Sequence, residues 1–420
     1  MKKVAVIGGG IAGLSIANML NKDFYVEVFE KEEQLGGMIK CKRIDGNLYH
    51  LIGGHVFNSH CGEVLDWFWN IFDKENEFIK ATRRASIVLK NNAVIDYPIE
   101  NHIYQLDKSN ICNIVNDLLA INRNEMPTSG NFADFLKNQF GETLYGLYFK
   151  PYNEKIWRRD LSTIPLIWLK GKLPMPTVSE IFFNNFCREE EKRMVHSSFY
   201  YPKNNGSQFI VDKLSKSLNC RTNHCVTELI YYPLSQKWII NNSFEFDYIV
   251  FTGNIKTLPN ILPDFKDYSP QFQNVECLQS HGTTSVLCRI DKNPYSWIYL
   301  PDLEYLSHRI ICTGNFAPSN NNNGDNSAIV EFSDFIEKEM ILDNLKRMPF
   351  NPQYISHQYS EYSYPIHNDK TKDIITKIKN TMASLGLFML GRFAEWEYYN
   401  MDAIMSAAIK LKNERFDDLR

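Results

Sequence analysis

A chain of 420 residues is too long for one simple hydrophobic core, so two or three subdomains are expected. Its 44% apolar and 23% charged residues are a globular composition, and a net charge of −3 supplies no broad basic field for nucleic acid. No apolar run approaches the roughly 18 residues of a membrane-spanning helix, and no basic stretch leading into an apolar one opens the chain, so a cytoplasmic protein is expected. The odd cysteine count, with irregular spacing and no C-x-x-C, argues against a disulfide framework. A metal site is not expected either, even where His224 lies between Cys220 and Cys225.

Val4 to Ile7 is an apolar run suited to a strand buried on both faces. Gly8-Gly9-Gly10-Ile11-Ala12-Gly13 fits G-x-G-x-x-G, and apolar residues then recur at helical spacing to Leu20. Tyr25 to Phe29 reads as a second strand ending on Glu30, twenty residues after Gly10. Gly8 permits the tight turn, Gly10 lets a pyrophosphate approach the backbone, and Gly13 lets helix and strand pack closely. The helix N-terminus holds phosphates, and Glu30 accepts from a ribose diol. All these parts occur in order, which predicts a dinucleotide site along Gly8, Gly10, Ile11, Ala12, Gly13, Glu30 and Lys31. A second glycine pair, Gly36-Gly37, follows the acid.

Further along, Met38 to Asp45 reads as a strand, and Gly53-Gly54 beside His55 marks a backbone that comes close to a ligand. Leu65 to Phe72 is an aromatic helix. Ser86 to Leu89 and Ala93 to Tyr97, joined at Asn91-Asn92, form a hairpin stopped by Pro98. Residues 103–150 read as an inserted helical block. The stretch from Phe149 to Asp160, with Tyr152, Asn153 and Trp157, mixes rings and charge; it suits a polar ligand and equally a solvated basic face. Lys170 and Lys172 are candidate anion contacts. A helix follows at Gln208 to Leu218. Strands are then expected at Cys225 to Tyr231, Lys237 to Asn241, Phe246 to Thr252, Thr283 to Asp291, Trp297 to Leu300 and His308 to Cys312. The Asn-rich Pro318 to Asn326 reads as a flexible surface loop. Leu387 to Phe393 is a buried strand running into Gly391, followed by a polar loop to Asp402 and a helix, Ala403 to Leu411, whose N-terminus faces the ligand.

The second glycine pair resembles that of the flavoprotein superfamily of amine oxidases, where it lies along FAD. Over nearly its whole length the chain resembles the UDP-galactopyranose mutases, with several motifs closer to their eukaryotic branch. The resemblance rests on Gly53-Gly54-His55-Val56-Phe57, Tyr97-Pro98-Ile99-Glu100-Asn101 and Pro151-Tyr152-Asn153-Glu154-Lys155-Ile156-Trp157. It continues through Trp297-Ile298-Tyr299-Leu300-Pro301 with Arg309, Glu361-Tyr362-Ser363-Tyr364-Pro365, and Gly391-Arg392-Phe393-Ala394-Glu395-Trp396-Glu397-Tyr398.

This resemblance implies an α/β fold: a Rossmann-type FAD-binding domain with an inserted helical domain and a β-rich substrate-binding domain. The expected segments are 1–80, 201–260 and 381–420 for FAD, 81–102 and 261–380 for substrate, and 103–200 for the helical insertion. It also implies an isomerase that interconverts pyranose and furanose forms of a nucleotide sugar, UDP-galactose first, for a surface polysaccharide. In the family the flavin, reduced by NADPH or NADH, attacks the anomeric carbon through its nitrogen 5 and displaces the nucleotide diphosphate; the sugar opens, recloses and returns. Carried over, His55 and Arg309 are catalytic. Tyr152, Asn153, Trp157, Lys172, Tyr299, Arg309, Tyr364 and Tyr398 contact substrate. Gly36, Gly37, Gly54, His55, Gly391, Arg392, Tyr398 and Asp402 join the fingerprint residues around FAD. A homo-oligomer is compatible with this reading. Two positions depart from the family: Lys172 stands where a second diphosphate arginine is common, losing the bidentate fork, and Phe316 stands for a tyrosine. The readings set beside the mutase are an oxidase or desaturase of the amine-oxidase and protoporphyrinogen-oxidase type, and a flavin-binding scaffold without catalysis.

Overall fold

The computed structural model describes residues 1–121, 130–166, 176–188, 197–263, 272, 274–322 and 324–419. The opening apolar run forms the strand Lys3–Ile7 at the centre of a five-stranded parallel sheet. Its order is Leu387–Met389, Tyr248–Phe251, Lys3–Ile7, Tyr25–Phe29, Asn219–Arg221. Val4, Ala5 and Val6 are all fully buried, because layers cover both faces. Val4, Val6, Val28 and Val250 meet the helices Ile11–Leu20, Gly206–Ser215 and Met401–Leu411. Ala5, Ile249 and Leu387 meet a three-stranded antiparallel sheet (Leu229–Tyr232, Lys237–Ile240, Phe244–Phe246) and the helix Thr371–Ala383. That helix places Ile374, Ile375 and Ile378 on the dinucleotide sheet, so the boundary expected at 380 falls inside it.

The second sheet has seven strands, in the order Gln353–Ile366, Gln279–Arg289, Ser327–Ser333, Arg309–Ile311, Trp297–Tyr299, Ala85–Val88, Val94–Asp96. Neighbours are antiparallel except Trp297–Tyr299 beside Ala85–Val88. Side chains alternate between its faces. Val88, Ile298, Ile310 and Val330 pack under the helix Lys338–Arg347, while Ile87, Tyr299, Ile311 and Ile329 face the helical insertion. The helices of that insertion begin at their own caps: Asp107 accepts from Asn110 N–H, Asn131 from Asp134 N–H, and Thr177 forms a capping box with Glu180. The Asn-rich loop expected to be flexible is instead a cross-link. Asn320 is fully buried and donates to the Tyr201 hydroxyl at 2.9 Å and the Thr313 carbonyl at 2.8 Å. Among the described residues no helix is long and apolar enough to cross a membrane.

Candidate active site

The glycine turn is built as the fingerprint requires. Gly8 has φ of 111°, and a side chain on Gly13 would stand 2.0 Å from the Gly8 carbonyl oxygen, so neither position takes another residue without a shift. Gly9 N–H donates to Glu30 Oε2 at 2.8 Å and Glu32 N–H to Oε1 at 3.0 Å, which holds the buried carboxylate beside the turn. Gly36 N–H donates to the Gly9 carbonyl at 2.8 Å, and a Cβ on Gly37 would lie 3.2 Å from Gly10 Cα. The two glycine pairs therefore lie backbone to backbone. The helix Ile11–Leu20 has no side-chain cap and no acid in its first turn, which leaves its N–H groups to an anion. Gly391, with φ of 109°, packs against Ala12: a Cβ would reach Ala12 Cβ at 3.0 Å. This cradle of bare backbone, donors and one acid fits a dinucleotide.

The loop with Gly53, Gly54 and His55 joins the cradle to the seven-stranded sheet. A Cβ on Gly54 would stand 2.6 Å from Ile311 Cγ2, and one on Gly53 would stand 3.5 Å from Glu331 Oε1 and 3.7 Å from His55 Nε2. Burial, with Arg392 nearby, pushes the His55 pKa down to about 4, so the ring is neutral near pH 7. Its Nε2 is buried with no hydrogen-bond partner in the protein, an orphan that a bound ligand would satisfy.

Beyond that loop, cross-strand pairing places Tyr299 opposite Arg309 and Arg309 opposite Glu331, one row on one face. Arg309 Nε binds the Glu331 carboxylate, and Nη2 donates to the Tyr364 hydroxyl at 3.2 Å. Burial raises the Glu331 pKa, but Arg309 and then His308 override it and hold the acid down at about 2. His308, with Nε2 3.6 Å from Glu331, is pushed down to about 4 by burial and carries no charge near pH 7. Arg83 donates to the Tyr299 hydroxyl from between the rings of Tyr97 and Trp297, with centroids 5.0 and 5.3 Å away. The Glu331 carboxylate is thus shared by Arg309 and His308, while Arg83 backs the Tyr299 hydroxyl. Tyr364 stacks on Tyr398 at 5.7 Å and meets the edge of Trp157 at 6.2 Å; Trp157, Tyr398, Pro365 and His367 line a cleft there.

The structure thus brings His55, Trp157, Tyr299, Arg309, Tyr364 and Tyr398 to one seam. Tyr152 lies within it as packing, its ring edge-on to Tyr299 at 5.2 Å. Asn153 donates back to the Phe149 carbonyl of its own helix at 2.7 Å. Arg392 lies 4.8 Å from the Tyr398 ring centre and gives N–H bonds to the Ser363 and Tyr399 carbonyls, which latches the Gly391 loop. Asp402 sits in the first turn of Met401–Leu411, where burial raises its pKa against a hydrogen bond from Ser59. Lys31 is exposed. Lys170 and Lys172 lie outside the described residues. Among the described residues no group of His, Cys, Asp or Glu could hold a metal ion. Sequence reasoning missed Arg83 and Glu331. The signal for Glu331 was present: one acid inside the apolar run Ala328 to Phe332, where a buried charge needs a partner.

The NAD(P)-binding Rossmann-like domain family matches residues 6–74. A UDP-galactopyranose mutase of Mycoplasma genitalium is 23% identical, over 97% of this chain and 93% of that protein. The solved structure of a reduced UDP-galactopyranose mutase superposes with a TM-score of 0.83 at 19% identity, over 99% of this chain and 93% of that one, and shares its fold. In sequence and in fold the chain is similar to UDP-galactopyranose mutases over nearly its whole length. A dTDP-fucopyranose mutase of Escherichia coli is 28% identical over 42% of this chain and 46% of that protein, so the likeness reaches mutases named for two different sugars.

Proposed function

We propose that the protein is an FAD-dependent mutase that interconverts the pyranose and furanose forms of a nucleotide sugar, UDP-galactose first. The observation that carries this reading is the Tyr299–Arg309–Glu331 row, in which Glu331 fixes the Arg309 guanidinium beside the Tyr299 and Tyr364 hydroxyls, set against a dinucleotide cradle. A diphosphate suits a guanidinium flanked by phenol hydroxyls; an amine does not. Glu30 would accept from the ribose of FAD, the Gly8–Gly13 turn would hold its pyrophosphate, and Gly36, Gly37 and Gly391 would leave room for its length. Reduced FAD, when bound, supplies the nucleophile that takes the sugar from its diphosphate.

The protein's own residues do the rest. Arg309 offers the Nη edge of its fork to the diphosphate, because Glu331 occupies Nε and fixes the plane. Tyr299 accepts from Arg83, so its own proton is left to donate to a phosphate oxygen. Tyr364 and Tyr398 add donors. These groups would stabilise the negative charge that grows on the departing diphosphate, and neutral His55 would offer its unpaired ring nitrogen to a bound ligand. Cytoplasmic location and reduction by NADPH or NADH belong to the same reading.

The test is anaerobic. Protein reduced with dithionite is incubated with UDP-galactofuranose and, in parallel, dTDP-fucofuranose, and the products are separated by chromatography. Conversion to the pyranose that is absent with oxidised protein supports the mutase. Neither sugar reacting, in protein with a full flavin spectrum, refutes it and turns attention to an oxidase, which must reduce an acceptor.

A further inference from the structure

The helix Lys150–Trp157 brings one more charged group to the seam. Lys155 Nζ donates to three carbonyl oxygens of one loop: Leu300 at 2.8 Å, Ser307 at 3.3 Å, and Asp302. An ammonium has three donors and no acceptor, so its hydrogen-bonding capacity is filled. The loop, residues 300–308, closes the hairpin between Trp297–Tyr299 and Arg309–Ile311. Its amides are bound in turn. Leu300 N–H donates to the His308 carbonyl at 2.9 Å, Glu304 N–H to Asp302 Oδ1 at 3.0 Å, Tyr305 N–H to the Asp302 carbonyl at 3.2 Å, and Leu306 N–H to Asn344 Oδ1 at 2.6 Å.

The same helix carries Tyr152 against Tyr299 and Trp157 against Tyr364. One ammonium therefore ties the helix that lines the cleft to both ends of the hairpin that presents Tyr299 and Arg309. Burial pulls its pKa down to about 7, with Asp302 acting in the opposite sense, and the three converging carbonyl dipoles compensate the cost of placing a charge there. Without a cation those carbonyls converge with no donor between them, and the Asp302 carbonyl keeps only the Tyr305 N–H.

We propose that Lys155 is a positioning residue: its bonds to the Leu300, Asp302 and Ser307 carbonyls lock the Tyr299–Arg309 hairpin onto the helix Lys150–Trp157 and so set the spacing of the diphosphate contacts. The role assigned to those contacts rests on the mutase reading; the lock itself does not.

Wild type, Lys155→Met and Lys155→Arg are compared as FAD-loaded proteins by amide hydrogen exchange and by steady-state kinetics with UDP-galactofuranose. In Lys155→Met the amides of Leu300, Glu304, Tyr305 and Leu306 exchange at least about tenfold faster, as loss of a charged hydrogen bond requires, while the strand Lys3–Ile7 is unchanged. KM rises about tenfold with kcat within about threefold, the pattern of lost binding alignment, and Lys155→Arg, which keeps the cation, recovers most of the KM. Unchanged exchange at 300–306, a released loop with normal KM, or a fall in kcat alone overturns the proposal. If Lys155→Met does not retain FAD, Lys155→Gln is read by the same criteria. Exchange is measured without substrate. A wild-type protein that converts no nucleotide sugar refutes the mutase reading, and exchange then decides alone whether Lys155 fixes the loop.

Discussion

Replacing Glu331 by glutamine removes one charge and almost no volume from the row that orients Arg309. Arg309 holds the carboxyl down at about 2 in the folded protein against an ordinary value of 4.5. That gap corresponds to roughly 3 kcal/mol of stability near pH 7, at about 1.4 kcal/mol per tenfold. Because the folded value is the lower one, the contribution is complete above 4.5 and fades as the pH falls toward 2. Glutamine cannot carry the charge, so Glu331→Gln is expected to be about 3 kcal/mol less stable at pH 7, a deficit roughly halved by pH 3. It also leaves the Arg309 cation beside a neutral partner, so the deficit is, if anything, larger. Urea unfolding of the FAD-loaded wild type and variant at pH 7 and at steps down to pH 3 measures it, and thermal melts are expected to fall by roughly 3–4 °C for a chain of this length. A deficit under about 1 kcal/mol at pH 7, or one that grows as the pH falls, would refute the assignment of Glu331 as the ionised partner of Arg309.

Arg309→Ala is expected to lower kcat/KM at least about 100-fold while FAD stays bound, the scale for removing a charged donor aimed at a transition state; flavin absorbance and turnover check it, and near-normal turnover removes Arg309 from the site. Glu30→Ala loses the bonds from Gly9 and Glu32 together with the ribose contact proposed for it, and is expected to weaken FAD about tenfold or more, read from the flavin content of purified protein. Gly13→Ala puts a methyl group 2.0 Å from the Gly8 carbonyl oxygen. It is expected to yield protein without flavin and with a lower melting temperature, and a normal flavin spectrum would contradict that contact.

The dinucleotide cradle was legible in the sequence because its parts are local. Six contiguous residues set the turn, the glycine positions follow from backbone sterics, and Glu30 arrives at the end of the next strand. Helix starts were equally local, as Asp107, Asn131 and Thr177 cap their own first turns. Composition could say that Pro318 to Asn326 is rich in asparagine but not that Tyr201 waits for Asn320. An amphipathic pattern could show that Thr371–Ala383 has a buried face but not which sheet receives it. Likeness to a family brought Arg309, Tyr299, Tyr364 and Tyr398 forward, yet their partners were out of reach. Glu331 meets Arg309 from 22 positions away, Arg83 meets Tyr299 from 216, and Lys155 reaches Leu300 from 145. Such pairs exist only once strand register is fixed, and a slip of one residue would turn Arg309 and Glu331 to opposite faces. The sequence by itself thus determined what holds the dinucleotide. Tertiary structure decided how the charges of the seam are paired, because charge balance in a buried row depends on neighbours that only packing brings together.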